Sequence, residues 1–310
     1  MYLRSLDLLS QRTIKKVIET AGVGLHSGKK VSMRLRPAAV NTGIVFRRID
    51  LESPVDIKVS PNAVGETVLS TTLIKDGVKV STVEHLLSAL AGLGIDNIYI
   101  DLTATEVPIL DGSSAPFVYL ILSAGIEEQT VAKQFMRIKE TVTYSNGDSW
   151  ASLEPYDGFS ASFQIDFNHP AVNDTKQTMK LDFCEDSYVS EISRARTFGF
   201  MRDVEFLRKR NLGLGGSLDN AVVLDEYKVL NSSGLRYKDE FVKHKILDAI
   251  GDLYTLGFGI IGAFHGHKSG HAINNLLLRE LLAHENAWEI VKFDQQSDAP
   301  VKYLDGLAWA

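Results

Sequence analysis

The sequence predicts an α+β fold of two similar domains, each a β-sheet layer with helices on one face. Short segments of alternating apolar and polar residues come first in each half of the chain, as expected of strands. In each half they lead into a helix that carries a histidine, His85 in the first half and His244 in the second. Glycine, a strand, a loop and another helix then follow in both halves, a weak internal repetition in pattern. A site between the two domains could therefore receive one histidine from each half.

The first half begins after an extension, residues 1–10, that is predicted to lie outside the fold. Alternation of apolar residues favours strands, and Asp76-Gly77 is typical of a hairpin turn. The motif Ser81-x-x-Glu84 is typical of a capping box at the start of a helix. Predicted strands are 12–18, 30–36, 42–48, 55–59, 68–74, 78–80 and 97–102, and predicted helices are 81–94 and 115–123.

The second half follows residues 127–134, a polar stretch that is predicted to be an interdomain linker. The predicted domains are therefore 11–128 and 135–295. Predicted strands are 135–138, 141–144, 150–154, 160–167, 221–224, 259–265 and 288–293, with 227–230 as a further candidate. Predicted helices are 204–210, 241–252 and 273–282, with a short helix or turn at 191–195 and a polar tail from residue 294.

Composition limits the class of protein. The chain has 310 residues and a formal net charge of −6, without the basic stripe of a dedicated nucleic-acid binder. Its single cysteine, Cys184, excludes a disulfide framework and a thiolate zinc cluster, and fits a reducing compartment. No apolar run is long enough for a transmembrane segment, and no signal peptide is recognisable. We therefore expect a cytoplasmic protein.

One predicted helix carries a polar stripe that could bind a metal ion. His244, Asp248 and Asp252 are spaced at i, i+4 and i+8, so they lie on one face, while Val242 and Ile246 belong to an apolar face. A stripe of this kind is more often a solvated surface, because aspartate is mostly exposed in proteins. Spacing alone leaves both interpretations open.

A second histidine strengthens the metal hypothesis. His85, His244 and Asp248 together form a typical catalytic zinc set with one position left for water, although the same ligands would also bind Fe(II) or Co(II). Glu84 either caps its helix or acts as a general base beside the metal, and His85 is either a ligand or an ordinary polar residue of the first turn.

The remaining groups that amide hydrolysis needs are also present in the sequence. An oxyanion needs a hydrogen-bond donor, which a hydroxyl such as that of Thr197 could supply. The leaving amine needs an acid, and His271 is suitable if a carboxylate such as Asp252 keeps it protonated. This set indicates metal-assisted amide hydrolysis, but its spacing does not show that the residues meet.

Eight segments of the chain, in order, carry a resemblance to a known family. They are 20–28 (TAGVGLHSG), 81–85 (STVEH), 92–97 (GLGIDN), 109–113 (ILDGS), 192–202 (ISRARTFGFMR), 214–217 (LGGS), 244–252 (HKILDAIGD) and 268–271 (KSGH). On these motifs the chain resembles the bacterial UDP-3-O-acyl-N-acetylglucosamine deacetylases of lipid A biosynthesis, from about residue 11 to residue 293.

The resemblance implies a β-α-α-β sandwich with the active site between two domains that pack helix to helix. It implies one catalytic Zn²⁺ and hydrolysis of the 2-acetamido group of a UDP-sugar, with release of acetate, as the committed step of lipid A biosynthesis. The expected roles are zinc ligand for His85, His244 and Asp248, general base for Glu84, oxyanion donor for Thr197, general acid for His271, orientation of that acid for Asp252, and substrate contact for Lys245.

The resemblance also implies how the substrate binds. The expected partner is a small-molecule UDP-sugar with a fatty acyl chain, bound by a monomer through an inserted subdomain at about 194–229 that forms an acyl-chain passage. The residues implied are Phe198, Phe200, Met201, Leu218 and Val223 in the passage, and Phe167 and Asp166 near the nucleotide and sugar. Arg194 and Arg196 are either ordinary surface charges or the local cations that a net acidic protein needs to hold the diphosphate.

Two positions depart from the family pattern. The turn expected to carry a basic residue for the phosphates has Asp148-Ser149, and Ser70 stands where some relatives have cysteine. Two rival hypotheses remain: a related zinc amidohydrolase with a different amide substrate, and a non-catalytic regulatory or binding protein that keeps the metal for stability.

Overall fold

The computed structural model describes residues 8–184 and 187–303, and all structural statements below refer to those residues. The strands are β1 Ser10–Ile14, β2 Ile18–Val23, β3 Lys30–Pro37, β4 Ile44–Arg48, β5 Val55–Lys58, β6 Val64–Glu66, β7 Thr72–Lys75, β8 Val78–Val80, β9 Ile98–Leu102, β10 Ile126–Ala132, β11 Phe135–Ile138, β12 Val142–Asn146, β13 Ser149–Glu154, β14 Phe159–Gln164, β15 Thr178–Asp182, β16 Phe198–Phe200, β17 Val222–Leu224, β18 Gly259–His267 and β19 Trp288–Val291. The helices are α1 Glu84–Gly92, α2 Ala115–Ala124, α3 Pro170–Asn173, α4 Met201–Lys209, α5 Glu240–Leu253 and α6 His271–Ala283.

The first half of the chain forms a five-stranded sheet in the order β2-β3-β9-β4-β5. Its strand β3 buries Val31, Met33 and Leu35 and exposes the residues between them, as the alternation predicted. A smaller sheet, β6-β7-β8, contains the predicted hairpin, in which Asp76 and Gly77 both have positive φ.

The second half forms a larger sheet in the order β12-β13-β18-β11-β19, with β14 also paired to β18, and β15 to β14. Helix α6 packs on β12 and β13, and helix α5 packs on β14. Each half therefore has a sheet with helices on it, and the α+β class predicted from the sequence is confirmed.

Helices α1 and α5, one from each half, pack against each other between the sheets. The contact is close because Gly251 of α5 lies on the backbone of Glu84, where a Cβ atom would overlap the Glu84 carbonyl oxygen. Every residue of α1 is buried. The predicted helix-to-helix packing thus brings the start of α1 against the middle and end of α5.

The prediction of a linker at 127–134 is wrong. These residues belong mostly to β10, which pairs antiparallel with β1. Their polar side chains have partners: Glu128 forms an ion pair with Arg12 at 3.2 Å, and buried Lys133 donates to the Gly94 carbonyl at 2.8 Å. Polarity suggested a linker, whereas here it belongs to a two-stranded ribbon whose strand β10 buries only Ile126.

The first ten residues are not all outside the fold, because Leu9 is buried and Ser10 belongs to β1. Residues 1–7 lie outside the described part. The predicted strand 12–18 is two strands separated by residues 15–17, and the predicted strand at 68–74 begins only at Thr72. Strand β15 was not predicted, and 227–230 contributes only an isolated bridge between Leu224 and Val229.

Within residues 8–184 and 187–303, none of the helices combines the length and the apolar character needed to cross a bilayer.

Candidate metal centre and catalytic site

Helices α1 and α5 bring together the three predicted metal ligands. One ligand atom from each of His85, His244 and Asp248 lies within 4.8 Å of the other two, and all three residues are buried. The Asp248 Oδ1 atom is 3.4 Å from His85 Nε2 and 3.3 Å from His244 Nε2. His244 and Asp248 both belong to α5 and lie one helical turn apart, as their i, i+4 spacing predicted.

The hydrogen bond of the Nδ1 atom of His244 sets the tautomer of this imidazole. Nδ1 lies 3.0 Å from the Ala195 carbonyl oxygen, to which it must donate, so Nε2 is left with a lone pair facing Asp248. Burial lowers the pKa of His244 to about 4. The imidazole is therefore neutral at neutral pH, which is the form that binds a metal ion.

Asp248 offers a cation one unsatisfied oxygen. Its Oδ2 accepts a hydrogen bond from Lys245 Nζ at 2.7 Å, whereas Oδ1 is buried and has no hydrogen-bond partner. Burial opposes the charged form, but the neighbouring His244 and Lys245 side chains hold the pKa of Asp248 well below its usual range. An orphaned carboxylate oxygen beside two imidazoles fits a divalent metal ion, because a buried charge needs a partner.

Glu84 lies next to this centre and does not cap its helix. The N-cap of α1 is Val83, without a side-chain bond, so the capping-box interpretation is wrong. The Glu84 Oε2 atom instead accepts a hydrogen bond from the Thr71 backbone N–H at 2.9 Å. Burial raises the pKa of Glu84, which makes its carboxylate a better proton acceptor than an exposed one.

His271 begins α6 and is held by Asp252 of α5. Its Nδ1 lies 2.9 Å from Asp252 Oδ2, so Nε2 is turned away from the carboxylate. Burial alone would lower the pKa of His271, but the Asp252 carboxylate outweighs it and raises that pKa to about 9. The imidazole is therefore protonated at neutral pH and can act as an acid.

Part of this site borders a cavity of about 810 Å³. His244, Lys245, Asp248, Thr197 and His271 contribute to its lining, together with an aromatic group made of Phe167, Phe198 and Phe200. The rings of Phe167 and Phe198 meet edge to face at 5.4 Å. A lining that combines polar groups with aromatic rings suits a ligand with a polar head and an apolar chain.

Some predicted substrate residues lie elsewhere. Met201 and Leu218 are 45% and 51% exposed, and neither they nor Val223 of β17 belong to the lining of this cavity in the described ranges. Arg196 cannot serve the diphosphate as predicted, because its guanidinium is buried against the Glu240 carboxylate at 2.8 Å.

Asp148, in the turn that departs from the family pattern, forms an ion pair with a lysine from another segment of the chain. Lys268 Nζ lies 2.9 Å from Asp148 and 2.6 Å from Asp166. The basic group near this turn is therefore Lys268, and two carboxylates share it.

Several lining residues were missed by the sequence analysis. They are Val68 and Leu69 in the loop before β7, Phe206 and Leu207 in α4, Leu212 after α4, and Ile273 in α6. The apolar residues of α4 were visible in the sequence, but the exposed pair Val68 and Leu69 was interpreted as part of a strand. No sequence pattern distinguishes Thr71, whose importance comes only from its contacts.

Hydrolysis of an amide beside a metal requires a base, an acid and a carbonyl-binding cavity around one centre, and helices from both halves of the chain meet these needs. The fold and the site define a hydrolase of the metalloenzyme class. Comparison with known proteins makes this specific: the chain belongs to the LpxC family, described as UDP-3-O-acyl N-acetylglycosamine deacetylase, which it matches over residues 11–283. This family carries out the committed step of lipid A biosynthesis.

Individual relatives agree with the family match. The chain is 61% identical to the UDP-3-O-acyl-N-acetylglucosamine deacetylase of Thioalkalivibrio sulfidiphilus over 297 residues, which are 96% of this chain and 98% of that protein. It is 60% identical, with the same coverage, to the proteins of that name from Alcanivorax borkumensis and Marinobacter nauticus. The resemblance seen in the sequence motifs is confirmed.

Proposed function

We propose that this chain hydrolyses the 2-acetamido group of UDP-3-O-acyl-N-acetylglucosamine and releases acetate, with one Zn²⁺ held by His85, His244 and Asp248. The observation that carries the proposal is the cluster of these three ligands, of which His244 and Asp248 line one cavity together with His271. Glu84 lies next to the ligand His85 at the start of α1. The relatives of about 60% identity that bear this enzyme's name support the choice of substrate.

When bound, the zinc ion would supply Lewis-acid activation of the amide carbonyl and of the attacking water. Glu84 takes a proton from the water as the water oxygen bonds to the acetyl carbon. The hydrogen bond from the Thr71 backbone to Oε2 orients this carboxylate. Substitution of Glu84 should therefore lower turnover strongly, whereas its effect on metal binding should be smaller.

The second half of the reaction breaks the C–N bond and needs a proton on the leaving nitrogen. Thr197, in the cavity lining, donates its hydroxyl hydrogen bond to the oxyanion. His271 Nε2 then gives its proton to the amine as acetate departs. Asp252 holds the opposite ring nitrogen, which keeps the imidazolium both charged and oriented.

The polar end of the substrate meets two lysines in this proposal. Lys245 lines the cavity beside Asp248 and contacts the sugar or its phosphates. Phe167 and Asp166 lie near the nucleotide and sugar, and Lys268, which bonds to Asp166, supplies a cation for the diphosphate in place of the missing basic turn residue.

The acyl chain lies in a passage built by the segment 194–229, which contains the parallel pair β16–β17 and helix α4. Phe198 and Phe200 line it near the metal centre, and Phe206 and Leu207 extend the lining outward. Met201, Leu218 and Val223 are proposed as its more distant contacts. The segment is an insert in a second domain, 135–295, that follows a first domain, 11–128.

The test is acetate release from the acylated UDP-N-acetylglucosamine by protein that has been stripped with a chelator and then titrated with zinc. Activity should disappear and return with about one equivalent of zinc, since one three-ligand centre is present. The His85→Ala variant, treated in the same way, should stay inactive at all zinc concentrations.

No release at any zinc level, from folded protein, would contradict the proposal. It would favour a zinc amidohydrolase with another amide substrate, and the neutralisation of Lys268 by Asp148 would be the first feature to examine.

A further inference from the structure

One buried threonine, Thr71, contacts both residues on which the proposed proton transfers depend. Its backbone N–H donates to Glu84 Oε2 at 2.9 Å, and its hydroxyl donates to Asp252 Oδ1 at 2.6 Å. Thr71 is 2% exposed, so water does not compete for these hydrogen bonds. It lies between the base on α1 and the carboxylate on α5 that orients the acid.

The hydroxyl contact limits how Asp252 can orient His271. Asp252 Oδ2 also accepts from Asn274 Nδ2 at 2.9 Å, and both of its oxygens lie within 3.1 Å of His271 Nδ1. With Thr71 on one oxygen and Asn274 on the other, the carboxylate is fixed in one plane. The imidazole that it holds is therefore aimed in one direction.

The backbone of Thr71 holds the other residue, the base Glu84. The Thr71 carbonyl accepts from the Val83 N–H at 3.3 Å, so the residue is bound to the start of α1 by its carbonyl as well as by its N–H. Because Glu84 follows Val83, the position of Thr71 and the position of the base are fixed together. Thr71 thus bridges groups on helices from the two halves of the chain.

We propose that Thr71 is a positioning residue that sets the mutual geometry of the base Glu84 and the acid His271. This inference rests on the proposed function, because it concerns the same reaction. Thr71 touches neither the metal ligands nor the cavity in the described contacts, so its effect is exerted through Asp252 and Glu84. The base and the acid must face one carbonyl and one nitrogen of the same amide, and small errors in such geometry are costly.

The test compares Thr71→Val with a matched control, Thr72→Val. Both remove a buried hydroxyl, but Thr72 Oγ1 bonds to Ser81 Oγ at 3.0 Å and has no contact with Asp252. Thr71→Val should lower kcat by about 10–100-fold, the range typical of lost support to a site residue, with KM changed by less than about threefold. Thr71→Ser should restore most of the rate, and Thr72→Val should keep it.

A double-mutant cycle separates positioning from general loss of structure. If Thr71 acts through Asp252, Thr71→Val should cost less than about threefold in kcat when added to Asp252→Asn, because the two changes disrupt one unit. Fully multiplicative effects would overturn the inference, as would equal losses in Thr71→Val and Thr72→Val. If Thr71→Val does not fold, Thr71→Ala removes the same hydroxyl without a methyl group against the carboxylate.

A measurement without turnover distinguishes this inference from the proposed function. In zinc-loaded protein labelled with ¹⁵N-histidine, the Nδ1–H proton of His271 should shift in Thr71→Val and stay in place in Thr72→Val. An inactive wild type with this shift would contradict the proposed function alone. An active wild type without it would contradict the positioning role.

Discussion

At the scale of single residues, the burial of Glu84 decides its chemistry. Its neighbours are the Thr71 backbone and His85, the proposed metal ligand, and its pKa is raised by burial. Glu84→Gln keeps the size and an acceptor oxygen but cannot take a proton. We expect turnover to fall about 10²–10⁴-fold while zinc content, measured by metal analysis, stays at the wild-type level. A variant with near wild-type turnover would show that Glu84 is not the base.

The raised pKa of His271 predicts where activity falls at the basic end of the pH profile. Because its pKa is about 9, kcat/KM should fall as the pH rises through about 9, where the acid loses its proton. The same shift affects stability: the folded pKa exceeds the usual 6.5, so the stabilisation is complete below about 6.5 and is lost as the pH rises through about 9. Asp252→Asn should move the basic limb to lower pH, and an unchanged limb would exclude His271 as its origin.

The roles of single residues were only partly predictable from sequence. The i, i+4 spacing of His244 and Asp248 fixes their common face, so their partnership could be predicted. The capping box at Ser81 and Glu84 obeyed a local rule, but a long-range contact with Thr71 replaced it. Thr71 and Asp252 are 181 positions apart, and no local pattern encodes such a contact.

At the scale of elements, the contact between α1 and α5 depends on Gly251. Helix propensity alone favours Gly251→Ala by about 1 kcal/mol. The new methyl group would overlap the Glu84 carbonyl, so we expect a net loss of about 1–3 kcal/mol in the free energy of unfolding, measured with urea. Deacetylase activity should also fall, because Glu84 and His85 would move with α1. A stabilised, active variant would contradict this account of the helix contact.

Helix α4 offers a test of the acyl passage. Phe206 lines the cavity yet is 55% exposed, so Phe206→Ala should change stability by no more than about 0.5 kcal/mol. It should raise KM about tenfold for a long-chain substrate, through loss of apolar contact, and hardly affect a short-chain one. Tyr227→Ala is the control, because Tyr227 is 76% exposed and outside the cavity lining. Equal effects of both changes would exclude Phe206 from the passage.

Elements were predictable where one face is buried and unpredictable where both faces are polar. The alternation in β3 reflects a single buried face, and this strand lies where the sequence placed it. Helix α5 also lies where its spacing placed it, although all of its residues except Lys245 are buried. Strand β10 has a mostly exposed pattern, and its partner β1 is distant in sequence, so it resembled a linker. The buried residues Val301 and Tyr303 likewise lie in what appeared from composition to be a polar tail.

At the scale of the whole molecule, metal binding should stabilise the fold, because the ligands come from both halves. A chelator should lower the melting temperature of the zinc-loaded protein, and zinc should restore it, since a ligand that binds only the folded state adds about 2.7 kcal/mol at a hundred times its Kd. His85→Ala should melt at the same temperature with and without chelator. Equal sensitivity in both proteins would place the stabilising ion elsewhere.

The general architecture was predictable because the order of elements repeats in the two halves. That repetition correctly suggested two sheets with helices and a site to which both halves contribute. It could not indicate how closely the halves approach, because that distance depends on glycines in close contact with the other half, such as Gly251 on the backbone of Glu84 and Gly112 on the backbone of Asn220. The shape of the cavity depended on Val68 and Leu69, whose exposure no periodicity foretold.

The bridge between Thr71 and Asp252 also has a consequence for biosynthesis. At about 5–20 residues per second, the 181 positions between them take the ribosome about 9–36 s. For most of that interval the nascent chain contains Glu84 and His85 without the complete helix α5. The proposed metal site is therefore complete only after α5 has been translated, and the ion must be delivered after that point in synthesis.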